Sequence, residues 1–190
     1  MAKLYFKYGA MGSSKTAGAL ITKFNYEERN MRVFLIKPAT DTRDGTDRLC
    51  SRIGLSAECT PIYEHENIYK MFKYSVSADV IIADECQFFT SAHVDQLRRI
   101  VDELNIPVLC FGLRTDFKTR LFTGSKRLFE VADSISEIKT ICSCGRKAIV
   151  NARIIDGKIA SDGDKIMLGG DESYLAMCHR CYKKRLMEEE

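Results

Sequence analysis

The stretch that decides the fold is "GAMGSSKT", Gly9 to Thr16. It matches the phosphate-loop pattern G-x-x-x-x-G-K-[ST] at every place but one: Ser14 stands where the second glycine belongs. Before it, "KLYFKY" (Lys3 to Tyr8) is short and aromatic-rich and reads as a strand. After it, Ala17, Ala19, Leu20, Ile21 and Phe24 recur near helical spacing, which predicts a helix from Lys15 to about Arg29. Strand, loop and helix form the context the motif requires. Free N–H groups and the dipole at a helix start favour an anion. Gly9, Ala10, Met11, Gly12, Ser13, Ser14, Lys15 and Thr16 are therefore candidate nucleotide-binding residues. Lys15 would reach the β- and γ-phosphates, and the Thr16 hydroxyl would bind Mg²⁺. Serine fits at position 14 without strain if φ is negative and costs roughly 1 kcal/mol if φ is positive. Taken alone, the stretch also fits a Gly/Ser-rich turn at a helix start.

Further along, β and α patterns alternate. "MRVFLIK" (Met31 to Lys37) reads as a strand closed by Pro38, and Ala39 to Thr60 as a polar, mobile loop. "IYEHENIYKMFKYS" has helical spacing, and "DVIIADE" (Asp79 to Glu85) is the apolar run of a buried parallel strand. "SAHVDQLRRIVDELN" is an amphipathic helix, and "PVLCFG" (Pro107 to Gly112) is another buried strand. The expected architecture is α/β: a P-loop, RecA-like, mainly parallel sheet with helices on both faces. From about Glu137 the texture changes to cysteine pairs and a hairpin around Asp156-Gly157. That divides the chain into a nucleotide-binding domain, 1–137, and a small β module, 138–190.

Bulk properties narrow the function. A chain of 190 residues with 45% apolar content can bury a sizeable core. The net charge of +3 carries no general nucleic-acid footprint. The N-terminus lacks a signal-peptide pattern, and no apolar run approaches the ~20 residues of a membrane span. A cytoplasmic protein without membrane or nucleic-acid partners is expected.

Two clusters carry chemistry. Asp84 and Glu85 close the apolar run of a buried strand, where open parallel sheets bind ligands. Asp84 there can hold a Mg²⁺ shell, and Glu85 can orient a hydroxyl and take its proton. The second cluster is "CSC" (Cys142, Cys144) and "CHRC" (Cys178, Cys181). In a reducing compartment such pairs point to a metal, and four thiolates suit tetrahedral Zn²⁺. Free thiols, a redox pair, or His179 in place of one cysteine remain open. Cys86 and Cys110 read as packing residues, and His65 and His93 as helix-surface residues.

In order, "GAMGSSKT", "DTR" (Asp41 to Arg43), "DECQF" (Asp84 to Phe88), "GLRTDF" (Gly112 to Phe117) and the two cysteine pairs resemble the zinc-containing, cytosolic type II thymidine kinases, most of all their enterobacterial branch. The resemblance spans nearly the whole chain. It implies transfer of the ATP γ-phosphoryl to the 5′-hydroxyl of thymidine, with Mg²⁺ and a structural Zn²⁺ on the four cysteines. It implies Glu85 as catalytic base, Cys86 and Gln87 beside the nucleotide, and Asp41 and Arg43 near the phosphates. Met11, Phe88, Leu113, Phe117 and Phe122 match residues around the thymine. "DKIMLGGDESY" matches a lasso loop that closes over the base, with Gly169, Gly170 and Tyr174 in contact. A homotetramer and feedback inhibition by dTTP are further implications. Ser14 and Arg114 depart from the family pattern. A RecA-like ATPase or GTPase acting on water, or a zinc module on an inactive nucleotide fold, are the competing readings of the same motifs.

Overall fold

The structure, a computed structural model, describes residues 1–160, 163 and 174–189. The chain begins with β1 (Leu4–Tyr8), α1 (Lys15–Glu27) and β2 (Val33–Pro38). A short hairpin, β3 (Arg48–Cys50) and β4 (Ser56–Glu58), precedes β5 (Thr60–Ile62) and α2 (Ile68–Tyr74). Then come β6 (Val80–Ala83), a 3-10 turn (Cys86–Phe88), α3 (Ser91–Arg99) with a π-helical end (Ile100–Leu104), β7 (Val108–Gly112), α4 (Thr123–Val131) and β8 (Ser134–Glu137). The C-terminal part holds β9 (Val150–Ile155), β10 (Lys158–Ile159), β11 (Tyr174–Met177) and α5 (His179–Glu189).

Among the described residues, six strands form one parallel sheet in the order β5-β2-β6-β7-β1-β8. Strand side chains alternate between the two faces. Ile81, Ala83, Val108 and Cys110 pack with residues of α2, α3 and α4, including Phe72, Leu97 and Leu128. Val80, Ile82, Leu109 and Phe111 pack on the other face with Ala19 and Leu20 of α1. Each buried aliphatic side chain contributes about 1.5–3 kcal/mol. The expected α/β architecture with helices on both faces is thus observed. The three-stranded antiparallel sheet β10-β9-β11 has its own core, which includes Val150, Ala152, Ile159, Met177 and Tyr182. Among the described residues no helix is long and apolar enough to cross a membrane.

Several local expectations need correction. Residues 39–60 are not an open loop. They contain the β3–β4 hairpin, in which Arg48 faces Glu58, and their carbonyls at Gly45 and Arg48 accept from the buried Lys37 ammonium (2.7 and 2.9 Å). The helical pattern assigned from Ile62 starts only at Ile68, where the Asn67 side chain accepts from Lys70 N–H at 2.9 Å. Pro61 sits in the edge strand β5, the sheet position proline tolerates. Ile21 and Phe24 of α1 are exposed rather than core. His93 is buried, not on the surface: it shares the inner face of α3 with Val94 and Leu97, its ring edge-on to Phe89 (centroids 5.5 Å apart). The sequence reading assigns no element to residues 118–136, where α4 and β8 stand.

Helix α4 approaches the 3-10 turn after β6 so closely that only glycine fits at position 124. A Cβ there would overlap the carbonyl oxygens of Cys86 and Phe89. Gly124→Ala should therefore lower the unfolding free energy by about 1–3 kcal/mol, read from urea denaturation at unchanged slope.

Candidate functional site

Parallel pairing of β6 with β7 and of β7 with β1 brings the loops after all three strands to one edge of the sheet. A cleft of about 640 Å³ opens there. Its walls include Met11, Gly12, Ser14, Lys15 and Thr16 from the phosphate loop, Asp41 and Arg43, Asp84 and Glu85, and Leu113. Thr42, Asp44 and hairpin residues Leu49 to Ile53 complete it. Lys15 and Glu85, the two residues on which the sequence reading turned, face the same space.

Two wall residues hold the left-handed backbone that side-chain-bearing residues avoid. Ser14 has φ 57° and ψ 32°, and Glu85 has φ 50° and ψ 34°. Ser14 thus takes the strained alternative of the two considered, at roughly 1 kcal/mol. Gly12, at φ 71°, meets the same demand without a Cβ.

The charges of the cleft are mutually compensated. The buried Lys15 ammonium donates to the Ala10 carbonyl (2.8 Å) and the Ser13 hydroxyl (3.3 Å). Burial pulls its pKa below the ordinary lysine value, and the nearby Glu85 and Asp84 carboxylates work against that. Arg43 donates to Asp41 (Nε to Oδ1, 2.7 Å) and to Glu85 (Nη2 to Oε1, 2.5 Å). Glu85 chiefly holds the Arg43 pKa above its ordinary value, outweighing burial. Burial pushes Asp41 up, but Arg43 and Lys37 together hold it below the usual carboxylate range. The second Glu85 oxygen accepts from Gln87 Nε2 (2.5 Å), and Gln87 Oε1 accepts from Leu113 N–H (2.9 Å). Each carboxylate oxygen has a further lone pair, so Glu85 can still accept from a hydroxyl in the cleft.

Asp84 differs. It is 1% exposed, and neither carboxylate oxygen has a hydrogen-bond partner. Burial, with Glu85 adding to it, pushes its pKa up to about 7, while the Thr16 hydroxyl and Lys15 oppose the rise. A buried carboxylate left this way beside a threonine hydroxyl is the donor set a hard cation takes.

A sequence profile of the family described as thymidine kinase matches residues 2–182. The chain belongs to the thymidine kinase family. It is 45% identical over 184 residues to the thymidine kinase of Enterococcus faecalis, covering 96% of this chain and 95% of that one. The thymidine kinase of Aliivibrio fischeri is 44% identical over 190 residues (98% and 99% coverage), and that of Enterobacteria phage T4 is 44% identical over 184 residues (95% of each).

The remaining site residues fall in two groups. Phe88 and Phe122 meet edge to face, 5.6 Å between ring centroids. Phe117 lies under the Arg153 guanidinium (3.9 Å to the ring centroid), whose Nε and Nη2 donate to the Tyr174 hydroxyl at 2.9 and 2.7 Å. Cys86 is fully buried and donates its thiol to the Ala83 carbonyl at 3.0 Å, so its side chain faces away from the cleft. Gly9 packs against Ser13 and the Ile138 carbonyl behind the loop. Gly169 and Gly170 lie outside the described residues. Sequence reasoning missed Arg153, Lys37 and Asn151. Asn151 is buried in β9 and ties two site loops together: it accepts from Met11 N–H (2.8 Å) and donates to the Thr115 carbonyl (2.9 Å). A charged or amide residue inside an apolar strand pattern was the only available signal for these three.

The sulfurs of Cys142, Cys144, Cys178 and Cys181 all lie within 4.8 Å of one another, a cluster that can hold a metal ion. Backbone N–H groups of Cys144 and Cys178 pull the Cys142 pKa down to about 6, whereas its thiol neighbours push Cys181 up to about 12. Four thiolates cannot coexist at this spacing without a cation. His179 is exposed and stands outside the cluster.

Relief of the left-handed strain at residue 14 and the greater freedom of an unfolded glycine chain oppose each other at about 1 kcal/mol each. Ser14→Gly should therefore leave the unfolding free energy within about 1 kcal/mol of the parent, while the β-branched Ser14→Val should lower it by more, both measured by urea denaturation.

Proposed function

We propose that this chain performs its family's reaction, transfer of the ATP γ-phosphoryl group to the 5′-hydroxyl of thymidine, with Glu85 as the base. The observation that carries the reading is the shared cleft of Lys15, Arg43 and Glu85. The N–H groups of Gly12, Ser14, Lys15 and Thr16 and the Lys15 ammonium hold the phosphates. Glu85 accepts a hydrogen bond from the nucleoside hydroxyl and takes its proton as the new O–P bond forms. The bond from the γ-phosphorus to the β–γ bridging oxygen breaks, and ADP departs. Arg43, anchored by Asp41, faces the developing charge. Most of the rate comes from this positioning and charge matching, because phosphoryl transfer asks little covalent chemistry of the protein.

The unpartnered Asp84 carboxylate and the Thr16 hydroxyl fit Mg²⁺ and would hold it. When bound with ATP, Mg²⁺ neutralises phosphate charge. Met11, Phe88, Leu113, Phe117, Phe122 and Tyr174 form the thymine side of the site, for which the family resemblance also names Gly169 and Gly170, outside the described residues, and Gln87 braces Glu85 from the Leu113 side. Zn²⁺ on the four cysteines has a structural role. The Ile149 N–H donates to the Met177 carbonyl (2.9 Å), so a metal beside this pair clamps the base of the segment between them. Residues 1–137 then act as the nucleotide-binding domain and 138–190 as a lasso domain over the acceptor. A cytoplasmic homotetramer, with no nucleic-acid partner, completes the proposal; exposed Ile21 and Phe24 on α1 offer an apolar surface for a second copy. The product's triphosphate, dTTP, carries a thymine and a phosphate chain and so can occupy both halves of the cleft as an inhibitor.

ATP consumption measured across a nucleoside panel tests the reaction: turnover should require thymidine, and ATP hydrolysis alone or with DNA would replace the reading with an ATPase. Glu85→Gln should retain nucleotide binding by calorimetry while kcat falls roughly 10²–10⁴-fold. Elemental analysis should find close to one zinc per chain, and a chelator strong enough to remove it should lower Tm.

A further inference from the structure

Lys37, the last residue but one of β2, has its side chain fully buried, outside the walls of the cleft. An ammonium so placed is costly unless its donors are matched. All three donors are matched: Nζ donates to Asp41 Oδ2 (3.3 Å), the Gly45 carbonyl (2.7 Å) and the Arg48 carbonyl (2.9 Å). Every acceptor belongs to one segment, residues 41–48, and that segment carries Arg43. The other Asp41 oxygen accepts from Arg43, which in turn donates to Glu85. One unbroken chain of charge-assisted bonds thus runs from the buried end of β2 to the proposed base.

We propose that Lys37 is a positioning residue for phosphoryl transfer: it pins the 41–48 segment so that Arg43 stays on Glu85 at the phosphate end of the cleft. The proposal rests on the reading that Arg43 and Glu85 act at the transferred group. A lysine suits the post because its compact ammonium offers three donors to acceptors on different sides. The planar guanidinium of arginine cannot reproduce that fan in a closed space. Without Lys37, the Gly45 and Arg48 carbonyls and one Asp41 oxygen lose their ammonium partner, and the segment keeps the backbone bond from Asp41 N–H to the Pro38 carbonyl (3.1 Å) as a tie to β2. Misplacing a charged group by about 1 Å can cost on the order of 10²-fold in rate.

The test is a double-mutant cycle on the full chain with thymidine, ATP and Mg²⁺. Lys37→Met, which keeps length but removes the donors, should lower kcat roughly 10- to 100-fold, with KM for thymidine changed by less than about threefold. Lys37→Arg should not restore kcat. In an Arg43→Ala background, Lys37→Met should add little further loss, because both act through one group. A parental kcat in Lys37→Met, or losses that multiply in the double variant, would overturn the proposal. Should Lys37→Met fail to fold by circular dichroism, Lys37→Gln, which fills the space with a neutral amide, takes its place, with the same two outcomes. If Arg43→Ala and Glu85→Gln both keep the parental kcat, the reading of the site itself fails; if they lose it and Lys37→Met does not, only the positioning role fails.

Discussion

The site depends on one constraint: parallel strands end on the same side. β6, β7 and β1 are neighbours in one parallel sheet, so the acidic pair after β6, the Gly112–Leu113 corner after β7 and the phosphate loop after β1 must converge. No side chain needs to reach far. The sheet core, continuous from Leu4 to Val108, holds this edge rigid. The electrostatics then follow from proximity: a buried lysine, a buried aspartate and an Arg–Glu pair share a space of limited solvent access, where each charge feels the next more strongly than in water.

Two residues of this edge hold a backbone conformation that side chains disfavour. Ser14 and Glu85 both adopt left-handed conformations, one on each side of the cleft. Glu85 stands two residues after the buried strand β6, and Ser14 ends the loop that leads from β1 into α1; both line the cleft. The loss of the second glycine from the phosphate loop is therefore tolerated rather than explained away, since the loop geometry is retained with serine in the glycine conformation. Strain of this kind is sustained where surrounding structure over-determines the chain.

The C-terminal module is joined to the site by specific polar bonds. Asn151 holds the phosphate loop and the 113–117 corner at once, Arg153 spans Phe117 and Tyr174, and the Tyr182 hydroxyl donates to the Phe117 carbonyl (3.4 Å). The cysteine cluster sits at the end of β9 and β11, the strands that present Asn151, Arg153 and Tyr174. Order at the sulfurs is thereby linked to order at Asn151, Arg153 and Tyr174.

The sequence by itself determined the fold class and picked out the Gly9–Thr16 loop, the acidic pair and the cysteine quartet that the structure brings to one cleft and one cluster. These signals are local: a motif of eight residues, an apolar run with two acids at its end, and paired thiols. The order of motifs was enough to recognise the family, which the match over residues 2–182 bears out. Only the tertiary structure decided what depends on contacts distant in sequence. A polar composition made residues 39–60 look mobile, because nothing local reveals that Lys37 is buried beneath them. His93 read as a surface residue because its burial is set by the register of α3 against Phe89. The sign of φ at Ser14, and the bonds of Asn151 and Arg153 across more than twenty residues of chain, likewise follow from packing between segments, which periodicity and spacing do not encode.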